Sequence, residues 1–135
     1  MTRIDWPTAS RFAGPQDSPG FRLWRRFHEW QRSVNGALAP HCLTQLQFSV
    51  LAVAAWLTRE GGVVTQQAIA DLGGLDRMLV SQVMRALETK GLVARKTNPA
   101  DRRSLSITLT AAGARRLTLA LPVVEAHDAA FLSEV

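Results

Sequence analysis

The chain has 135 residues, one cysteine (Cys42), 47% hydrophobic and 20% charged residues, and a formal net charge of +5. That length suits one domain with its own core, and a lone cysteine excludes an internal disulfide and the paired-cysteine spacing of zinc and redox sites. The longest apolar run, residues 48–57, is too short to span a bilayer, and residues 1–17 lack the apolar centre of a signal peptide, so a cytoplasmic protein without a membrane partner is expected. The charge is uneven: residues 75–106 carry +4 and residues 1–35 carry +3, whereas 36–74 and 107–135 carry −1 each. A concentrated basic segment points to an anionic partner.

Residues 1–17 mix Pro, Gly, Ser and charge without periodicity and are expected to form a flexible arm. Ser18-Pro19 then reads as an N-cap followed by proline at the first helical position. Leu23, Phe27, Trp30 and Val34 share one face of a helix over 18–38, which Pro40 ends. Thr44 and Gln47 form a capping box, with Leu43 and Phe48 at the staple positions, so a second and largely buried helix starts there and stops at Gly61-Gly62.

Thr65 caps a short helix over 66–72. After Gly73-Gly74, Asp76 caps a helix over 77–90 that Gly91 ends. Two helices joined by a short glycine turn are a helix-turn-helix candidate. Beyond Gly91, residues 92–96 and 105–109 are β-compatible, and 97–104 is a turn-rich basic loop, so a β-hairpin with a charged tip is predicted. Thr110 caps a last helix with Leu117, Leu121 and Val124 on one face and a kink at Pro122. The fold class is mainly α with a small β-hairpin: a winged helix-turn-helix over about 44–109 with flanking helices at about 18–38 and 110–135, in a domain spanning 18–135.

On the helix over 77–90, Val80, Val83 and Leu87 form the inward stripe. Met78, Ser81, Gln82 and Arg85 form another face, with Arg77 near its start. An arginine, an amide, a hydroxyl and a thioether suit base edges in a major groove. At the hairpin tip, Arg102 and Arg103 suit a narrow minor groove, Lys96 suits phosphate, and Asp101 is placed to hold one guanidinium. Taken singly, a polar helix face or an Asp-Arg-Arg turn is a solvated surface; their adjacency is what favours double-stranded DNA as partner.

The runs 43–48, 65–70, 75–95, Asp101-Arg102-Arg103 and Leu109-Thr110-Ala111-Ala112-Gly113 resemble, in order and spacing, the MarR (multiple antibiotic resistance regulator) family. The resemblance implies a transcriptional regulator, more often a repressor than an activator, that binds a pseudo-palindromic operator as a homodimer, with the DNA-binding part at about 44–109 and the flanking helices at about 18–38 and 110–135 as dimerisation helices. It also implies a small aromatic or phenolic effector between the first, second and last helices, where Trp24, His28 and Trp56 are candidates to line a pocket. Two departures stand out. Met78-Leu79 replaces the small hydroxyl residues common at the start of the reading helix. The sequence stops at Glu134-Val135, near where a further dimerisation helix is expected, so the expectation is either a smaller dimer interface or a shortened chain, with Phe131 and Leu132 partly unpaired.

Cys42, with only His41 beside it, reads as an inert thiol. His28, His41 and His127 lack metal-ligand spacing, and the sequence carries neither a nucleophile elbow nor a glycine-rich phosphate loop. No metal, cofactor or enzymatic activity is expected. The rival reading is a winged-helix protein-interaction module that does not bind DNA.

Overall fold

Each main helix begins where a short polar side chain takes up a free backbone N–H. The computed structural model describes residues 2–98 and 101–133, with side chains at all of these except 98 and 102–104. Its elements are α1 (Trp6–Ala9), α2 (Pro19–Leu38), α3 (Gln45–Leu57), β1 (Val64–Thr65), α4 (Gln66–Gly73), α5 (Arg77–Thr89), β2 (Val93–Asn98), β3 (Asp101–Leu109) and α6 (Ala111–Phe131). Ser18, Thr44, Thr65, Asp76 and Thr110 cap α2, α3, α4, α5 and α6 respectively, each accepting from a backbone amide of the first turn. The capping box of α3 is complete: Gln47 N donates to Thr44 Oγ1, and Thr44 N donates to Gln47 Oε1, both at 3.2 Å.

Three features differ from the sequence expectation. The segment read as a flexible arm contains the turn of helix α1 and a 3-10 turn at Pro15–Asp17. A third strand exists: β1 pairs antiparallel with β3, Val64 opposite Ile107 and Thr65 opposite Ser106, giving the order β1-β3-β2. The hairpin is also longer than expected, since both strands run through most of the segment read as a loop. Its register passes from Thr97↔Leu105 to Asn98↔Asp101, so a bulge on β3 takes in Arg102, Arg103 and Ser104.

The core gathers the inner faces of all the long helices. Val34 and Leu38 of α2, Val50, Leu51 and Ala54 of α3, Ile69 of α4 and Val80, Met84 and Leu87 of α5 pack with Leu92, Ile107, Leu117, Ala120 and Val124. The apolar stripe of α2 is buried only in its C-terminal half. Leu23 is 73% exposed and Phe27 45%, because the described residues leave that end of the helix uncovered. Farther along α2, Trp30 Nε1 donates to Asp128 Oδ1 (2.8 Å) and Ser33 Oγ meets His127 Nε2 (2.7 Å), which fastens α2 to α6. Helix α6 runs unbroken through Pro122. No single helix among the described residues is long and apolar enough to cross a membrane.

At the start of α6, Gly113 lies against the backbone of Leu92, and a Cβ there would collide with the Leu92 carbonyl oxygen. A mid-helix Gly→Ala change ordinarily gains about 1 kcal/mol. Here overpacking against backbone outweighs that gain, so Gly113→Ala is expected to cost about 1–3 kcal/mol net. Urea unfolding checks it; a midpoint unchanged or raised would show that the backbone yields freely.

Candidate nucleic-acid interface

Helix α5 is positioned from both ends. At its N-terminus, Asp76 Oδ1 accepts from Met78 N at 2.7 Å and Leu79 N at 3.4 Å. The preceding turn is closed by Gly74 at φ +65°, with Leu75 N donating to Ala70 O (2.9 Å). At its C-terminus, Gly91 takes φ +74°, Leu92 N donates to Leu87 O (3.0 Å) and Gly91 N to Glu88 O (2.9 Å). That pair of bonds is a Schellman termination, which requires a left-handed residue and therefore favours glycine.

Val80, Val83, Met84 and Leu87 turn inward. Arg77, Met78, Gln82 and Arg85 are exposed and Ser81 is half-buried. Met78, at 74% exposure, is among the most exposed large apolar side chains of the molecule. The five residues picked out from the sequence therefore share the outer side of one helix. Lys96, on β2, is exposed as well. Arg102 and Arg103 are in β3, but their side chains lie outside the described part, so the expected Asp101 guanidinium contact falls outside it too.

Two fastenings were not visible in the sequence. Arg95 of β2 donates to Glu88 Oε1 of α5 through Nη2 (3.0 Å) and Nε (3.3 Å), locking the wing to the helix. These bonds hold the Glu88 carboxyl below its usual pKa. The pair is therefore intact above the ordinary carboxylate range and is lost as pH falls through the lowered value. Lys90 Nζ donates to Cys42 O (2.7 Å) and to Gln47 Oε1 (2.8 Å), so the capping-box glutamine of α3 also anchors the end of α5. Lys90 and Arg95 thus spend their charge internally. Among the described residues, no carboxylate pairs with Arg85 or Lys96.

Behind α5 lies a cavity of about 440 Å³ bounded by α2, α3, α4 and the first turn of α5. Trp30, Val53, Ile69, Leu75 and Leu79 supply much of its apolar wall. Trp24, His28 and Trp56, the effector residues expected from the resemblance, do not line it. Trp24 lies two turns before the cavity-lining Gln31, toward the uncovered N-terminal half of α2, and is 58% exposed; its ring packs edge-on against His28 at 4.8 Å. Trp56 is one turn past Val53, 57% exposed, with the Arg59 guanidinium 3.7 Å over its ring.

Comparison with known proteins gives this geometry its context. A profile of the MarR family matches residues 44–104. The HTH-type transcriptional regulator YdcH of Bacillus subtilis is 43% identical over 124 residues, which cover 92% of this chain and 84% of YdcH. CouR from Rhodococcus jostii, solved bound to p-coumaroyl-CoA, is 31% identical with a TM-score of 0.75, covering 92% of this chain and 85% of CouR. The Mycobacterium tuberculosis regulator MosR, solved in complex with DNA, is 27% identical with a TM-score of 0.77, covering 88% and 84%. With the sheet order, the helix-turn-helix and these identities in agreement, the chain belongs to the MarR family of winged helix-turn-helix transcriptional regulators.

Proposed function

We propose that two copies of this chain bind one pseudo-palindromic operator in double-stranded DNA, repress transcription by occupying it, and release it when a small aromatic effector enters the cavity behind α5. The observation that carries this reading is the outer face of α5, with Arg77, Met78, Ser81, Gln82 and Arg85 presented together beside a wing that Arg95 holds in place. In a major groove, Arg85 suits guanine or phosphate, Gln82 suits adenine, and Met78 suits a thymine methyl. Lys96, Arg102 and Arg103 on the wing suit phosphates and a minor groove. The work is cytoplasmic, where the DNA is. DNA-bound MosR and CouR bound to p-coumaroyl-CoA lend support by similarity.

The dimer reading rests on uncovered apolar surface. Leu23, Trp24 and Phe27 of α2 and Leu119 of α6 are all exposed, as are Ile4, Trp6 and Phe12 before α2. An exposed set of this size favours a partner surface, and two-fold symmetry matches half-sites about 10 base pairs apart.

The protein is a binder rather than an enzyme in this reading. Ser33, His127 and Asp128 do form a relay, with Ser33 Oγ 2.7 Å from His127 Nε2 and His127 Nδ1 3.0 Å from Asp128 Oδ1. Yet Ser33 lies mid-helix, where backbone N–H groups are committed to the helix and leave no donors for an oxyanion. The relay is a brace between α2 and α6.

Fluorescence anisotropy with the chain's own promoter region tests the reading. Replacing Arg102 and Arg103 by Ala is expected to weaken binding on every sequence and to reduce the slope of log K against log salt by up to about 2; an unaltered slope removes the wing from the interface. Gln82→Ala is expected to relax base preference at one position by about 1–3 kcal/mol. Equal losses on operator and random DNA would reject base reading there. Leu23→Glu combined with Leu119→Glu should give a monomer by sedimentation and lower operator affinity at least about tenfold; a persisting dimer would move the interface elsewhere.

A further inference from the structure

The effector proposed for the cavity behind α5 can be given a chemical class, on the condition that such an effector exists. We propose that this cavity selects an uncharged planar ligand bearing both a hydrogen-bond donor and an acceptor, such as an aromatic carboxamide or lactam, and discriminates against the matching carboxylate.

Three polar side chains line the cavity: Gln31 of α2 and Gln45 and Ser49 of α3. They are joined in one relay. Gln31 Nε2 donates to Gln45 Oε1 at 3.0 Å, and Gln45 Nε2 donates to Ser49 Oγ at 2.8 Å. Gln45 is only 8% exposed, and its backbone N–H donates to Asn35 Oδ1 at 2.7 Å, so the middle of the relay is fixed in place. The ends are open. Among the described residues, Gln31 Oε1 accepts no hydrogen bond, and the Ser49 hydroxyl, already accepting, still has its proton to give. A carboxamide or lactam complements both ends, its N–H donating to Gln31 Oε1 and its C=O accepting from the Ser49 hydroxyl or from the second proton of the Gln31 amide.

The rest of the wall is apolar, and among the described residues no Lys, Arg, His, Asp or Glu side chain lines the cavity. A carboxylate moved into such a site loses its hydration without meeting a cation. It also brings acceptors only, so Gln31 Oε1 gains no donor from it. The aromatic body of a ligand would lie against Trp30, Val53 and Leu79. Leu75 and Leu79 belong to the turn before α5 and its first turn, so the same ligand touches the proposed reading helix.

The test uses the intact chain and two isosteric probes, 2-naphthamide and 2-naphthoate, titrated calorimetrically at pH 7.5, where the acid is ionised. The amide is expected to bind at least about tenfold more tightly than the acid. Ser49→Ala and Gln31→Leu should each bring the two affinities to within about threefold, chiefly by weakening the amide. The proposal is overturned if the acid binds as tightly as the amide, if neither binds at the solubility limit, or if both variants keep the wild-type ratio. Retention of the unliganded chain on immobilised DNA is measured alongside. Its loss with amide selectivity intact counts against the DNA reading alone, and acid preference with DNA retention intact counts against this proposal alone.

Discussion

Three structural units meet at one residue, Leu92, through the peptide groups on either side of it. Leu92 N closes the end of α5 by donating to Leu87 O, while Leu92 O accepts from Thr110 N at 3.1 Å. Thr110 Oγ1 donates to Gly91 O at 2.6 Å and accepts from Gly113 N at 3.0 Å. Gly113 then packs on the Leu92 backbone so closely that no side chain fits. The end of α5, the base of the wing and the start of the long α6 are thereby fixed to one another by short-range bonds. Because the side chain of Leu92 is itself fully buried, the junction is also embedded in the core. Backbone hydrogen bonds shielded from water are costly to lose, which makes this the rigid point about which the other parts are disposed.

The wing is the element that most needs such a point. A two-stranded hairpin is marginal by itself. Here its base is pinned at Leu92 and Thr110, its middle is extended by β1 through Val64 and Thr65, and its side is tied to α5 by the Arg95–Glu88 pair. What remains beyond these ties is the far end, with the bulge of Arg102, Arg103 and Ser104. An exposed ion pair contributes little stability, so the pair matters chiefly for angle: it fixes how the wing leans relative to the helix. Lys90, held by Cys42 O and Gln47 Oε1, does the same between α5 and α3.

These ties explain what could be read from the sequence. Helix starts are local events, and Ser18, Thr44, Thr65, Asp76 and Thr110 all cap as their neighbours suggest. The glycine at 91 is local in the same sense. Strand β1 is not: two residues, Val64 and Thr65, carry no periodicity, and only pairing with residues some forty positions later makes them a strand. The bulge likewise depends on cross-strand register, which turn-forming residues such as Asn98, Pro99 and Asp101 mask by suggesting a loop. The polar face of α5 was legible because the 3.6-residue period separates it from the buried stripe. The cavity was not. Aromatic residues on α2 and α3 announce themselves by type, but which of them turn inward depends on helical phase and on neighbours, and the glutamine–serine relay joins residues from two helices.

The charge distribution reads differently once the partners are known. Residues 75–106 carry seven basic side chains, among them Lys90 and Arg95, which bond within the fold. The others, Arg77, Arg85, Lys96, Arg102 and Arg103, are divided between the outer face of α5 and the wing. Their spacing is set by the Leu92 junction, whereas the cavity lies on the opposite side of α5, between that helix and α2. A ligand there influences the basic surface only through a difference in affinity between two arrangements of α5 relative to α2. The side of α2 that faces α6 is braced by Trp30–Asp128 and Ser33–His127. Trp30 is common to the brace and the cavity wall, so a ligand that shifts its ring strains a hydrogen bond to α6, the helix that also carries Leu119 of the proposed dimer surface. In the proposed mechanism, effector, spacing of the two readers and DNA affinity are in that way linked through one indole.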